Sequence, residues 1–511
     1  MKALKWVGRT LFLDPFAVRL CLITVLTFTA VPAIQAVVGG YVKLLLAWGG
    51  AVLVCDLFTR RRALRNRYAG FFALFVLCYA VSILLNRVAG LAGNVSELCY
   101  IVLFFFVLFA YDPDGSAERA AFEVRTLARV FLVLTALLSL LSLATFFFSF
   151  NYNYSQTVTP DYAENVFFGI QDNRLYGLYN PNTGSMLNLL SSMFSLLLLA
   201  FGVRVGERVA LIANLLLQYV CLALTLSRTA WYMYAVFVVL FALFVMPHPQ
   251  KAAKPLKPLV RAALRVGVAA VGAAVILLLS TPVRELLAGA PEKLGWSVPD
   301  SVIASLSERV ELYKNGEAAE GEEPSDPNAV GGNTTALITQ RGERQDEGGI
   351  LTGRQYLWKG GIQAFLHHPL FGVTHKGLFE AVKPYVPEDW QQFVQGGGLH
   401  NMFFMVLACS GGTGAVVLIG FLGMSGGRAL KWMWRRRGER AAVMTNGLTV
   451  MLLTILGAEM LESRLLYVVT IFGALFWTLY GYAMRLVDAC EPERAAKTGV
   501  YNRLMEKRRR E

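Results

Sequence analysis

One histidine and four arginines stand beside apolar segments, where a charged or titratable side chain is costly unless it has a partner or a task. His400 directly precedes a long apolar run, and an imidazole can exchange protons near neutral pH. It is therefore a candidate general base, and the alternative is an interfacial histidine that caps a helix. The arginines are Arg174, Arg228, Arg354 and Arg464.

Two of these arginines have informative neighbours. The segment Ser227-Arg228-Thr229-Ala230-Trp231 leaves almost no loop between two apolar runs, so it holds a permanent cation at the membrane surface. Arg354 opens a segment with apolar residues at helical spacing that ends at His367-His368-Pro369, which predicts an amphipathic helix along the interface. A planar guanidinium suits a diphosphate, whereas the alternative for each arginine is snorkelling to lipid phosphate.

The elements that must position these residues are membrane spans. The chain has 511 residues, of which 55% are hydrophobic and only 16% charged, and its mean hydropathy is +0.49. This composition is typical of a chain that lies in lipid. We predict an all-α polytopic membrane protein with about twelve transmembrane helices, roughly at 17–36, 41–58, 69–86, 97–111, 127–149, 183–202, 209–226, 230–246, 266–281, 401–423, 442–459 and 465–484.

The basic residues predict the orientation. Lysines and arginines cluster after the second, eighth and tenth predicted spans and in the tail, all on one side of the membrane. The positive-inside rule assigns that side and both termini to the cytoplasm, with the first span retained. We prefer this reading of the net charge of +13 to nucleic-acid binding.

The predicted organisation alternates helical blocks with two exposed segments on the non-cytoplasmic side. The second segment contains an acid-rich stretch, 316–349, that we expect to be disordered and to bear no site. The blocks are N-terminal transmembrane helices in 1–150, a first exposed loop in 151–182, central transmembrane helices in 183–281, a large extracytoplasmic loop in 282–399, C-terminal transmembrane helices in 400–486 and a basic cytoplasmic tail in 487–511.

A longer motif starts at the histidine. His400-Asn401 is followed by nine residues and then by Gly411-Gly412-Thr413-Gly414, about three helical turns further on, where small residues would let a neighbouring helix approach closely. This pattern resembles the core motif of the O-antigen ligase and polymerase superfamily. Further resemblances, over roughly the last two thirds of the chain, are Ser227–Trp231, Arg174–Gly177 with Asn180-Pro181-Asn182, and Arg354 followed by Pro369–Val373, where Thr374 replaces a usual second glycine.

The resemblance implies a membrane glycosyltransferase of GT-C-like architecture, acting on the outer face of the plasma (inner) membrane. Its donor would be an undecaprenyl-diphosphate-linked glycan and its acceptor a hydroxyl of a lipid or glycan. His400 would take the acceptor proton, and Arg228 and Arg354 would bind the diphosphate. Attack would invert the anomeric carbon without a metal or other cofactor. Accessory contacts to the diphosphate or glycan would come from Arg174, Asn401, Glu462 and Arg464.

Two questions stay open at this point. A ligase and a polymerase of cell-surface polysaccharide, such as lipopolysaccharide or capsule, would share these motifs, so the sequence does not separate them. A polytopic transporter or flippase for a lipid-linked or small substrate is the alternative class. It predicts ionisable residues in mid-span, and the predicted spans are nearly free of them.

Overall fold

The structure is a computed structural model that describes residues 13–159, 162–171, 174–247, 258–299, 301 and 353–490. The acid-rich stretch 316–349 and residues 491–511 of the predicted tail lie outside the described residues. The described chain is mostly helical. Its first six helices are α1 (Pro15–Thr29), α2 (Pro32–Phe58), the short α3 (Arg62–Arg65), α4 (Ala69–Leu85), α5 (Leu91–Leu103, continued by a π-helical turn, Phe104–Leu108) and α6 (Ala117–Phe147).

Twelve further α-helices of the described residues follow a small sheet. They are α7 (Pro181–Phe201), α8 (Val205–Thr225), α9 (Arg228–Phe244), α10 (Pro258–Leu278), α11 (Ser280–Ala288), α12 (Ala290–Leu294), α13 (Arg354–His367), α14 (Leu378–Val382), α15 (Glu388–Gly397), α16 (Met402–Arg435), α17 (Val443–Ala458) and α18 (Ile471–Cys490). The bounds of α13 coincide with the segment that the sequence predicts as a helix opened by Arg354.

Eight helical segments of the described chain are long and apolar enough to cross a membrane, so this is a multi-pass membrane protein. Three shorter apolar helices, α1, α4 and α9, are additional. The prediction of about twelve crossings therefore stays a prediction. The eight segments are Val37–Phe58, Leu91–Leu108, Ala117–Phe147, Pro181–Phe201, Val205–Thr225, Leu259–Leu294, Met402–Arg435 and Arg440–Ala458.

The predicted first exposed loop contains strands, which the all-α prediction did not include. The strands β1 (Tyr152–Thr159), β2 (Tyr162–Gln171) and β3 (Arg174–Gly177) form one antiparallel sheet in the order β1-β2-β3. β3 packs against α6 and α8. Leu175 of β3 joins a small buried apolar cluster with Phe146 and Leu224 from those two helices. The sheet thereby fixes Arg174 beside the end of α8.

Three span boundaries differ from the sequence prediction for local reasons. The predicted span 17–36 ends early because Pro32, which has no backbone N–H, begins α2. The predicted span 97–111 starts earlier, at Leu91, which places Glu97 inside a helix. The last predicted span, 465–484, starts later because residues 459–470 form an irregular segment, in which Tyr467 has a φ of 66°.

A ladder of buried polar side chains holds the central helices together. Ser139 of α6 donates to Gln218 of α8, and Asn214 of α8 donates to Ser191 and Ser195 of α7. Small polar residues of this kind join helices where lipid gives no hydrophobic driving force between them. The ladder fixes α7 and α8, and with them the Arg228 turn.

The helices α9 and α17 are antiparallel neighbours, and their contacts define one end of the bundle. Asn446, near the start of α17, donates to the carbonyl of Phe244, the last residue of α9. At the other extreme, a Cβ built on Gly457 of α17 would lie 2.9 Å from Met233 Sδ of α9. The start of α9 therefore lies at the same end as residues 459–464. We call this end, which also carries His400, the His400 end.

The glycine motif breaks α16. Gly411 has φ 67° and ψ −172°, which are not helical values, so the helix consists of two segments. The loop 369–374 fills the break: Gly412 and Thr413 donate their backbone N–H groups to the carbonyls of Pro369 and Leu370. A neighbouring helix approaches at Gly414 of this motif, where a built Cβ would lie 3.6 Å from Phe75 of α4; at Gly411 the expectation is wrong, since a loop approaches instead.

The same loop satisfies the carbonyls that the break releases. Val373 N–H donates to the carbonyl of Ala408, and Thr374 N–H donates to that of Cys409. Gly372 makes this approach possible, because a Cβ there would lie 2.3 Å from the Ala408 carbonyl oxygen. Thr374 has a φ of 64°, a conformation that favours glycine. Irregular backbone at membrane depth is tolerated only when protein groups satisfy it in this way.

We predict that Gly411→Ala destabilises the protein by about 2 kcal/mol or more, because alanine at positive φ is strained and its Cβ would meet the Leu370 carbonyl oxygen at 2.3 Å. Thermal unfolding in detergent measures the change. Gly423→Ala is the matched control, since Gly423 lies in the same helix with no atom within 4 Å of a built Cβ. Equal stability of the two variants would contradict the prediction.

Candidate functional site

The start of α16 is anchored on the end of α17. Asn401 caps α16: its side-chain oxygen accepts from the N–H groups of Phe403 and Phe404, while its Nδ2 donates to the carbonyl of Met460. The N–H of Met402 donates to the carbonyl of Glu459. These bonds place residues 459–464 directly beside His400. The carboxamide of Asn401 is thus used in capping, and its predicted contact with substrate stays a prediction.

A buried carboxylate, Glu462, joins three of the predicted site residues. Its Oε2 lies 3.4 Å from His400 Nδ1 and 3.1 Å from an Arg464 guanidinium nitrogen, and its Oε1 lies 3.6 Å from an Arg354 guanidinium nitrogen. The Glu462 side chain is 6% exposed, against 22% for His400. We call Glu462 with His400, Arg354 and Arg464 the Glu462 cluster. The fold brings its members together from three separate segments.

The charges of the cluster keep Glu462 ionised. Burial raises the pKa of a carboxyl group, but here the charge of Arg464, the facing imidazole of His400 and the charge of Arg354 outweigh burial and lower the pKa of Glu462 to about 2. Two guanidinium groups against one carboxylate leave the cluster with a surplus of positive charge. Arg464 Nη1 is buried and has no hydrogen-bond partner among the described residues. The cluster is thus suited to an anion.

The helix that begins at Arg354 and the helix that follows His400 also meet directly. Trp358, one turn after Arg354 on α13, packs on Phe404, one turn after His400 on α16, with ring centroids 5.6 Å apart. This contact and the Glu462 carboxylate fix both helix starts at one place. The predicted helix opened by Arg354 is confirmed as α13. The sequence did not predict its position beside His400.

Arg174 lies at the turn that precedes Arg228, at a second place on the His400 end. Arg174 Nε donates to the carbonyl of Thr225, which ends α8, and its Nη2 donates to Asn182 at the start of α7. Leu226 adopts a left-handed conformation (φ 53°), and α9 begins two residues later with the exposed Arg228. Arg174 thereby stabilises the turn that presents Arg228.

Sequence reasoning missed the contribution of Glu459. Its Oε2 accepts the N–H of Arg464, and burial raises its pKa to about 8, although Arg464 partly offsets that effect. A protonated Glu459 at neutral pH adds no negative charge beside the two arginines. Two glutamates three residues apart in an apolar stretch, just before an arginine, are the signal that could have revealed this segment.

The fold and the cluster define a class: a multi-pass membrane protein with an arginine-rich, histidine-containing site at one end of its helices. Comparison with family models gives one match, over part of the chain. Residues 213–419 match the model described as O-antigen ligase, which confirms the resemblance to the O-antigen ligase superfamily. No curated protein matches the chain. The matched range includes Arg228, Arg354, His400 and the glycine motif, and it ends before Glu462.

The family match has coarse functional consequences. It supports a role as a membrane ligase or polymerase in the synthesis of cell-surface polysaccharide. It implies a glycosyltransferase-like enzyme with lipid-linked glycan substrates in a membrane. The roles of the individual site residues remain predictions.

We predict that protonation of Glu459 makes stability depend on pH. The folded protein retains this proton up to about pH 8, whereas the unfolded chain releases it near the ordinary carboxyl value of 4.5. Between these values the folded state binds more protons, so its stability falls as pH rises, by up to about 1.4 kcal/mol per pH unit. Thermal unfolding in detergent from about pH 5 to pH 8 measures this slope.

Glu459→Gln should remove that part of the slope, because glutamine does not titrate. Glu439→Gln is the control: Glu439 is exposed and pairs with Arg436 in a turn between α16 and α17. The control should keep the wild-type slope. If Glu459→Gln shows the same slope as wild type, Glu459 is not the group that keeps a proton in the folded state.

Proposed function

We propose that the protein transfers a glycan from undecaprenyl diphosphate to an acceptor hydroxyl, with the Glu462 cluster as its catalytic centre. The observation that carries this proposal is the contact of one buried carboxylate with an imidazole and two guanidinium groups. A base and cations for a diphosphate are the two requirements of such a transfer. The family match independently supports lipid-linked glycan substrates.

In the proposed reaction, the acceptor oxygen attacks the anomeric carbon while the bond from that carbon to the diphosphate oxygen breaks. The bonding electron pair leaves with undecaprenyl diphosphate, and the configuration at carbon inverts. The hydroxyl proton passes to Nε2 of His400. Glu462 faces Nδ1, so it favours the tautomer that carries hydrogen on Nδ1 and leaves Nε2 as the base.

The arginines stabilise the charge that grows on the leaving diphosphate. Arg354 lies at the cluster, 3.6 Å from Glu462, and a guanidinium group can bind a diphosphate through two parallel N–H donors. Arg464 adds its buried Nη1 donor. Arg228, at the start of α9 on the same end, is the third cation, with Arg174 as a positioning or accessory residue. Because these groups supply the positive charge, the proposed reaction needs no metal.

The protein lies in the plasma membrane in this proposal. Both termini are in the cytoplasm, and the His400 end is on the outer side. The twelve crossings of this proposal are the eight candidate spans, the three shorter apolar helices α1, α4 and α9, and α18. Arginines concentrate at the opposite end, for example in the pairs of Arg62 with Asp56 and Arg67 with Asp488. A GT-C-like architecture is part of this proposal.

A transporter or flippase is the second candidate, because carboxylates are buried within candidate spans, among them Glu97 in Leu91–Leu108. A carboxylate inside a span is a feature of ion and substrate pathways. Glu97, however, is engaged by His375 and Tyr79 near the His400 end. The two candidates differ in chemistry: transport moves the lipid-linked glycan intact, whereas transfer releases undecaprenyl diphosphate.

We predict that detergent-solubilised protein converts a purified undecaprenyl-diphosphate oligosaccharide to product with EDTA present. His400→Ala should reduce the rate by about 10²–10⁴-fold through loss of the base. Arg228→Ala and Arg354→Ala should reduce it by about 10²–10³-fold through loss of charge stabilisation. Release of undecaprenyl diphosphate is the readout, and the lipid that carries the product separates ligase from polymerase.

The matched controls are His367→Ala and Arg87→Ala, which remove the same side chains from exposed positions outside the Glu462 cluster. Both should keep wild-type activity. Activity that survives His400→Ala, or that EDTA abolishes, would contradict the mechanism. Transport of the intact donor without cleavage would favour the second candidate.

We predict that a cysteine at Glu388 reacts with a membrane-impermeant maleimide from outside, whereas one at Glu439 reacts only after permeabilisation. Both side chains are exposed, and they lie at opposite ends of α16 in the chain order. The substitutions are made in a protein without its seven native cysteines. The reverse labelling pattern would overturn the proposed topology.

A further inference from the structure

We propose that the pair His375–Glu97, directly after the loop 369–374, is a second carboxylate–imidazole contact. It clamps this loop into the break of α16 and thereby positions His400. This inference rests on the proposed function for the role of His400. The clamp itself is a property of the fold and can be tested without activity. The sequence motifs assign neither residue a role, and both lie outside the Glu462 cluster.

The pair is short and well buried. His375 Nδ1 lies 2.6 Å from Glu97 Oε1, and Tyr79 donates its hydroxyl hydrogen to Glu97 Oε2 at 2.9 Å. The Glu97 side chain is only 4% exposed, so its charge requires such partners. Lys376 Nζ lies 3.4 Å from the same carboxylate. Helices α4 and α5 thus hold the end of the loop through one carboxylate.

Backbone bonds strengthen the attachment of the loop to the two helices. The N–H of His375 donates to the hydroxyl oxygen of Tyr79, and the N–H of Lys376 donates to Asn94 Oδ1. Asn86, just after α4, donates to the carbonyl of Gly372. The loop is therefore fixed on the side that faces α4 and α5, while its other side fills the helix break.

The clamp is connected by two sets of contacts to the half-helix that directly follows His400. Thr374, the neighbour of His375, donates to the carbonyl of Cys409 in the last turn before the break. The His375 ring also stacks on Tyr467 with an interplanar angle of 7°, and the Tyr467 hydroxyl lies 2.6 Å from Ser410 Oγ. Tyr467 belongs to the irregular segment 459–470 that contains Glu462.

The break at Gly411 explains why a clamp is needed. A continuous helix would fix its first residue through its own backbone bonds, but the break interrupts that path about ten residues after His400. The half-helix Met402–Ser410 therefore depends on its lateral contacts. A small displacement of a catalytic base is costly, since a misplacement of about 1 Å can lower a rate about a hundredfold.

Hydrogen exchange of the detergent-solubilised full chain tests the clamp. In Glu97→Gln and His375→Ala, the protection of the N–H groups of Val373, Thr374, Gly412 and Thr413 should fall about tenfold or more, because a charge-assisted hydrogen bond is lost. His375→Asn should restore part of it, since its Nδ2 takes about the position of the lost Nδ1. Glu207→Gln is the control, because it breaks the exposed ion pair with Arg129 at the opposite end.

Transfer kinetics test the positioning of His400. Glu97→Gln and His375→Ala should lower kcat about tenfold or more with KM for the donor unchanged, and His375→Asn should recover part of kcat. Unchanged exchange in both variants would overturn the clamp. Increased exchange with unchanged kcat would overturn the positioning of His400. If wild type releases no undecaprenyl diphosphate, the proposed function and the positioning fail together, while the exchange result still decides the clamp.

Discussion

The arrangement of the site depends on the contacts that the buried Glu462 carboxylate makes with His400 and two arginines. An ionised carboxylate at 6% exposure is unfavourable by itself, and the nearby guanidinium and imidazole groups offset that cost. Its partners come from α13, from the chain just before α16 and from the segment after α17. Removal of Glu462 would leave the two guanidinium groups without their shared counter-charge. A single interaction therefore holds together segments that lie more than a hundred residues apart.

This contact is possible only because two stretches of backbone are not helical. Residues 459–470 connect α17 to α18, and the carbonyl of Glu459 among them accepts the N–H of Met402. The loop 369–374 fills the break at Gly411. Neither stretch could face lipid, because its N–H and C=O groups would lack partners. Each is surrounded by helices that supply those partners. The protein thus places irregular backbone, which can present side chains at chosen angles, beside a helical scaffold that keeps it rigid.

The sequence predicted features that depend on neighbours in the chain and missed those that depend on distant partners. The bounds of α13 and the tight turn before Arg228 follow from local spacing of apolar residues and from the near absence of a loop. The break in α16 could not be predicted from Gly411-Gly412-Thr413-Gly414 alone, because glycines at helical spacing also suit helix contacts. What decides between these outcomes is the loop from Pro369 to Thr374, some forty residues earlier in the chain. The sheet was missed because its apolar side chains pack against α6 and α8, and these contacts with distant residues cannot be recognised from the local sequence.

Glu462 lies outside the range that matches the family model, and this bears on how the proposed reaction works in this chain. The matched range contributes Arg228, Arg354 and His400, all of which are cationic or become so when the base accepts a proton. An imidazolium formed beside Arg354 and Arg464 would be strongly disfavoured without a counter-charge. Glu462 supplies that charge from the last hundred residues, and the protonated Glu459 beside it adds none. In the proposed reaction, one ionised carboxylate and one neutral carboxyl group, three residues apart, thus let a base accept a proton beside cations that still attract a diphosphate.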